Sequence, residues 1–253
     1  MHFTERDEKI HKLLSVQNFV SLRELCEKLD ASPATIRRDL ERLEGLGQLL
    51  RVHGGARAAD TAVNHLEGTP FDANLQRNIE RKISIGRAAA KLCSAGDAII
   101  IDGGTTTFQM CPFLEQKKLQ VLTNSLHIVE ALLPTKVQLS IPGGSIFREQ
   151  NIILSPFEDD GLNRYHAGKM FMGAAAISTK GLMQIDSVLI QAERKLMARA
   201  DALIVLVDSS KFRAAAGQLL CNLNEVDMVI TDSELSRADR AMLKKANVEV
   251  LIA

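Results

Sequence analysis

From about residue 76 onward the sequence alternates apolar runs with amphipathic stretches, and this constrains the fold more than any other feature. "RNIERKISIGRAAAKL" has helical spacing and precedes the strand-like "AIIID". Helical "TTTFQMCPFLEQ", strand "QVLTN", helical "SLHIVEALL" and strand "VQLSI" follow. Strand-like "KMFMGAA", helical "SVLIQAERKLMARA", strands "ALIVLVD" and "MVITD", helical "SRADRAMLKKA" and strand "VEVLI" complete the series. Such alternation predicts a mostly parallel sheet covered by helices on both faces, here spanning residues 76–253. Ligands of these sheets sit beyond the carboxyl ends of the strands. Those ends read "DGGTTT", "TNS", "PGGS" and "DSSK", all small or polar.

The first of them, residues 102–107, is the strongest ligand signal. Gly103 and Gly104 have no Cβ, so an anion can approach the backbone. Thr105, Thr106 and Thr107 add hydroxyl donors where a helix opens. Asp102 would repel a phosphate and is assigned to ligand hydroxyls or to fixing the loop. Asn124 and Ser125 end the next strand, where they either bind ligand or cap a helix. Gly143 and Gly144 form a tight turn beside these loops, and Arg148 and Gln150 follow within reach. Gln191 and Lys195 share a helical turn with Glu193, as pocket residues or as a solvated ion-paired face. Lys211 follows a strongly apolar strand, where its compact charge can neutralise a phosphate.

Residues 1–57 have a different character. Ile10, Leu13, Leu14, Val20, Leu22, Leu25 and Leu29 recur at helical spacing. A short helix over 22–29 is followed by Ser32, a good N-cap, and by Pro33, which suits a first turn. A second helix then runs to about residue 46, with Ile36, Leu40 and Leu43 on its buried face. Ala34, Thr35, Arg37 and Arg38 fall near its start and off that face. Two helices, a tight turn and polar residues at the second N-terminus describe a helix-turn-helix. "GQLLRVHGGA" supplies a strand and a glycine-bearing tip, a wing carrying Arg51 and His53. Arginine can pair with guanine's major-groove edge, and Ser or Thr can reach phosphates. The opposing reading is a helical hairpin whose acidic neighbours, Asp39, Glu41 and Glu44, dilute its basic character. Residues 58–75 lose periodicity and are expected to form a linker.

Lys plus Arg and Asp plus Glu both number 31, so a basic surface for nucleic acid must be local. The four cysteines form no Cys-x-x-Cys pair, which leaves zinc and redox chemistry unsupported. No metal or cofactor is expected. The charged N-terminus lacks the apolar core of a signal peptide, and a reduced, cytoplasmic setting is expected.

"RDEKIHKLL" at 6–14, "SPATIRRDL" at 32–40 and the "RVHGGA" wing closely resemble the signature of the DeoR family of bacterial transcriptional regulators. "DGGTTT", "TNS", "PGG", "DSSK" and "ITD" occur in the order of that family's sensor domain. The resemblance implies a winged helix-turn-helix joined to an α/β sensor related in fold to ribose-5-phosphate isomerase. It further implies a repressor of a sugar operon, released from operator DNA by a phosphorylated sugar. One winged helix offers too little surface for tight, specific binding, so a homodimer or homotetramer on paired half-sites is expected. Lys211 matches an Asp-x-Ser-Lys of the related isomerases. Glu193 and Lys195 match the family's Glu-x-x-Lys segment only loosely, the order here being Glu-Arg-Lys. "YHAGKMFMGA" and "VDSSK" look most like the ascorbate-utilisation repressor branch, which implies a sugar-acid phosphate. Two other functions fit parts of the chain. A sugar-phosphate isomerase would suit the fold, but Asp102, Asp186 and Glu193 are isolated as general bases. A DNA-binding protein controlled by a protein partner is the other.

Overall fold

A computed structural model describes residues 3–17, 19–45, 49–52, 54–58, 71–155 and 161–253. The chain divides into two compact units, residues 1–65 and 66–253.

The first unit contains α1 (Phe3–Gln17), β1 (Phe19–Ser21), α2 (Leu22–Leu29), α3 (Pro33–Gly45), β2 (Leu49–Val52) and β3 (Gly55–Ala58). The three strands form an antiparallel sheet in the order β1-β3-β2. Ile10 and Leu14 of α1 join Leu25, Leu29, Ile36, Leu40, Leu43 and Leu49 in one core. Asp30 takes the left-handed conformation that ends α2 and opens the turn. The Ser32 hydroxyl accepts from the Thr35 backbone N–H at 3.2 Å, as an N-cap should. Asp39 is buried beside Arg6 of α1, which donates from Nε at 2.8 Å. It therefore does not dilute the basic face of α3.

The second unit contains α4 (Phe71–Leu75), α5 (Ile79–Lys91), β4 (Ala98–Ile101), β5 (Gln120–Thr123), α6 (Leu126–Leu132), β6 (Gln138–Ser140), β7 (Ser145–Phe147) and β8 (Ile152–Leu154). It continues with β9 (Ala167–Met172), β10 (Ala176–Ser178), β11 (Gly181–Gln184), α7 (Ser187–Met197), β12 (Ala200–Leu206), β13 (Gln218–Cys221), β14 (Met228–Thr231), α8 (Arg237–Lys245) and β15 (Glu249–Ile252). Seven strands form one parallel sheet in the order β15-β14-β12-β9-β4-β5-β6. Alternate residues feed opposite faces, as the strand period requires. Ile99, Ile101, Phe171, Ile204 and Leu206 enter one core. Ile100, Met170, Met172 and Val205 enter the other.

The chain winds outward from β4 through β5 to β6, then returns to β9 on the other side of β4 and continues through β12. The connections therefore diverge between β4 and β9, and such a switch point opens a crevice at the carboxyl ends.

Three local expectations change. Residues 71–75, assigned to the linker with 58–70, form α4. Residues 107–113 form a 3-10 helix rather than an α-helix, and Pro112 inside it lacks an N–H. Gly86 of α5 lies against it so closely that a Cβ there would meet the Gln109 backbone at 2.5 Å. The antiparallel pair β7-β8 and the small sheet β10-β11-β13 were not anticipated.

Candidate functional site

The crevice at the β4/β9 switch point is a cleft of about 210 Å³. Asp102, Gly103, Gly104, Thr105 and Thr106 line it from beyond β4, and Gly173, Ala174 and Ala175 from beyond β9. Asp102 locks these two loops together. One carboxylate oxygen accepts from the Gly104 N–H at 3.0 Å and the Thr107 hydroxyl at 2.8 Å. The other accepts from the Gly173 N–H at 3.0 Å. Of its two proposed roles, fixing the loop is the one its hydrogen bonds fulfil. Burial raises the Asp102 pKa, and the three donors oppose that rise.

Asn124 and Lys211 line the same cleft, as the sequence led one to expect. Burial lowers the Lys211 pKa; Asp208 opposes this, and the Arg77 charge adds to it. Lys82 behind them is lowered further, to about 8, chiefly by burial and also by Lys211 and Arg77. Crowded cations in a cleft form a site that an anion would relieve.

Seven of the expected pocket residues lie off the cleft lining. Thr107 and Ser125 are buried, one bonding to Asp102 and the other capping α6. Gly143, Gly144 and Arg148 belong to the β7-β8 excursion, where a Cβ on Gly144 would stand 2.3 Å from the Leu154 carbonyl oxygen. Gln191 and Lys195 lie two residues either side of Glu193, about 200° around the helix from it. Gln191 is exposed, and Lys195 donates to the Ser155 carbonyl at 3.2 Å.

Other residues complete the wall. Gln150, within reach by its place in the sequence, lines it, as do Glu193 of α7, Gln184 of β11, Arg77, and Phe71 and Asn74 of α4. Phe71 stacks on His127 with ring centroids 3.9 Å apart, which fixes α4 beside the cleft. Glu193 was readable in principle. It shares a face with Leu189 and Leu196, both buried, and a carboxyl in such an apolar stripe asks for an explanation. Arg77 and Asn74 carried no comparable signal.

On the first unit, Ser32, Ala34, Arg37 and Arg38 are exposed and Thr35 is half-buried. Arg37 and Arg38 have no ion-pair or hydrogen-bond partner among the described residues. Arg51 is already engaged with α3: its guanidinium donates to Glu41 at 2.6 Å and its backbone N–H to Glu44 at 3.0 Å. His53 lies outside the described residues. Among the described residues no group of His, Cys, Asp or Glu could hold a metal ion. No described helix is long and apolar enough to cross a membrane.

Comparisons with known proteins match two regions of the chain. Residues 6–62 match the DeoR-like helix-turn-helix domain, and residues 77–233 match the DeoR C-terminal sensor domain. The chain is 30% identical over 249 residues to the HTH-type transcriptional regulator UlaR of Shigella dysenteriae, covering 98% of each chain. The same figures hold for UlaR of Escherichia coli K12. Among solved structures, ribose 5-phosphate isomerase A of Methanocaldococcus jannaschii aligns with a TM-score of 0.40 at 20% identity, over 53% of this chain and 54% of that one. The eIF2B beta subunit of Chaetomium thermophilum aligns with a TM-score of 0.42 at 16% identity, over 60% of this chain and 50% of that one.

Proposed function

This chain belongs to the DeoR family of DNA-binding transcriptional regulators, and we propose that it is a cytoplasmic repressor of a carbohydrate catabolic operon. The family assignment makes it a regulator and not an enzyme, with operator DNA and a small-molecule effector as its partners. The effector we propose is a phosphorylated sugar or sugar acid. The observation that carries this reading is the placement of Arg77 and Lys211 in one cleft with the Gly103–Gly104–Thr105 loop. Cations beside a glycine-threonine loop at a switch point suit a phosphate, and the polar remainder of the wall suits hydroxyls.

Lys211→Ala tests the phosphate role. It should weaken a sugar phosphate about tenfold or more while changing its unphosphorylated analogue little, because a charged hydrogen bond is worth about 1.5–3 kcal/mol. Titration calorimetry on such a pair reads this directly, and equal losses for both would remove Lys211 from phosphate recognition. The compound is found by thermal-shift screening of pentose, hexose and hexonate phosphates, since a ligand of the folded state raises its stability.

On DNA, Ser32, Ala34, Thr35, Arg37 and Arg38 are proposed as the contact surface of α3, with Arg51 and His53 on the wing. One winged helix buries little surface, and paired half-sites supply the affinity a repressor needs. A homodimer or homotetramer is therefore expected by light scattering. A monomer occupying one half-site would contradict this. The first helix of the sensor unit, α4, follows the 58–70 segment and forms part of the cleft wall. Ligand contacts at Asn74 and Arg77 would thus act on the chain leading to the DNA-binding unit. The linker residues 59–70 themselves lie outside the described residues.

A further inference from the structure

Two buried polar atoms in the cleft have no hydrogen-bond partner among the described residues: Asn124 Oδ1 and Glu193 Oε2. Both residues line the cleft, and they are only 4% and 8% exposed. Buried polar atoms are nearly always paired, so two orphans on residues that line one cavity point to a ligand that completes them. Their elements are far apart in sequence, at the end of β5 and in the middle of α7, and only the sheet order brings them together. Asn124 Oδ1 lies 3.9 Å from where a Cβ on Gly103 would sit, which places it at the glycine loop.

We propose that Asn124 and Glu193 form the specificity-determining end of the cleft, Asn124 Oδ1 accepting from a ligand hydroxyl and Glu193 Oε2 donating a proton to a ligand oxygen. This deepens the effector reading above and rests on it. The ligand class it selects is a polyhydroxylated phosphate, held at one end by charge and at the other by neutral hydrogen bonds. A bare phosphate would satisfy only the cationic end.

The direction of the Glu193 hydrogen bond follows from its surroundings. Its other oxygen, Oε1, accepts from Gln184 Nε2 at 2.5 Å, and this is its one donor among the described residues. Burial raises its pKa well above the ordinary range, and the neighbouring Asp102 charge adds to the rise. Asp102 has three donors, so of two neighbouring carboxyls it holds the charge and Glu193 the proton. Cys221 of β13 also stands near Glu193, its thiol raised to about 12 mainly by burial, so it adds no charge at neutral pH. On the solvent side of α7, Arg194 is paired with Glu225. With Oε1 occupied by the amide, the acid proton sits on Oε2, the oxygen left without a partner among the described residues.

The test uses the full chain, with wild type, Glu193→Gln and Glu193→Ala. Each is titrated calorimetrically at neutral pH with D-ribose 5-phosphate, D-glucose 6-phosphate, D-gluconate 6-phosphate and inorganic phosphate. At least one sugar phosphate should bind wild type more tightly than inorganic phosphate. The ratio of sugar-phosphate to inorganic-phosphate affinity should fall about tenfold in Glu193→Ala. It should stay within about threefold in Glu193→Gln, whose amide also donates. A large loss in Glu193→Gln would mean that an ionised carboxylate accepts from the ligand, and would overturn the proposal. Sugar phosphates binding no better than inorganic phosphate would also overturn it, while leaving the phosphate site intact. Binding of none of the four probes would count against the effector reading itself. An independent readout needs no ligand: a carbon-13 carboxyl titration of the free protein, with Glu193 assigned by its loss in Glu193→Gln. The Glu193 signal should remain that of the acid at neutral pH, and an ordinary carboxylate midpoint would overturn the proposal whatever the binding data show.

Discussion

Replacing Arg37 and Arg38 together by alanine should weaken operator binding by a factor of at least about thirty and leave folding unchanged. Each contact to a base edge or phosphate is worth about 1–3 kcal/mol, and the two arginines are exposed at the start of α3 without partners among the described residues. Substitutions at such surface positions usually shift stability by less than about 0.5 kcal/mol, so lost binding will not reflect lost structure. The single variants separate the roles. A base-reading arginine, once removed, relaxes specificity at one position, whereas a phosphate contact weakens all sequences and lowers the salt slope by about one. Arg51→Ala should cost less, because Arg51 already pairs with Glu41 and Glu44. Fluorescence anisotropy against a fragment selected by the protein itself, at several salt concentrations, provides all three readings. Undiminished affinity in the double variant would rule out this face of α3 as the interface.

The second large effect is expected at Asp102. Asp102→Ala removes the acceptor for the Gly104 and Gly173 N–H groups at the mouth of one cleft, while the Thr107 hydroxyl keeps the Gly104 carbonyl as an acceptor at 2.7 Å. A buried polar group left unpaired costs about 1–3 kcal/mol, so a loss of about 2 kcal/mol or more in urea unfolding is expected from the two N–H groups. Ligand binding should disappear with it, because the loops after β4 and β9 lose their tie. Asp102→Asn should be intermediate, since an amide offers one acceptor oxygen where the carboxylate offers two. The pH dependence has a definite sign. Burial raises the Asp102 pKa, so the folded chain keeps this proton to higher pH than the unfolded chain. The resulting contribution to stability is complete below pH 3.8 and is lost as pH rises through the folded value. The asparagine variant should lack that component, and an alanine variant as stable as wild type would show that Asp102 ties nothing.

The parallel sheet was legible because its strands are buried on both faces, which writes them as unbroken runs such as "AIIID" and "ALIVLVD". The helix-turn-helix was legible because caps, turn and buried stripe all fall within about 25 residues. The antiparallel additions were not, since β7, β8 and β10 are only three residues long. The cleft was half legible. Residues 102–106, Asn124 and Lys211 sit at strand ends, where chemistry can be anticipated from topology alone. Glu193, Gln184 and Arg77 reach it from a helix, an antiparallel strand and the approach to α5. Their convergence depends on how those elements fold over the sheet, which local pattern does not encode. Arg148 and Lys195 lie off the lining for the same reason: charge and proximity in sequence suggested a pocket that the β7-β8 hairpin and the helical period turn away from.

The central claim is that the cleft senses and the helix-turn-helix reports. A ligand shifts an equilibrium only by its unequal affinity for two states, and such coupling is typically about 1–3 kcal/mol. The direct measurement is operator affinity by anisotropy, with and without a saturating amount of the phosphorylated compound that gives the largest thermal shift, repeated with Thr106→Ala. The ligand should weaken operator binding about fivefold or more in wild type, and Thr106→Ala should require more ligand for the same effect. Operator affinity unchanged at saturation, with binding to the cleft confirmed in the same sample, would contradict the account.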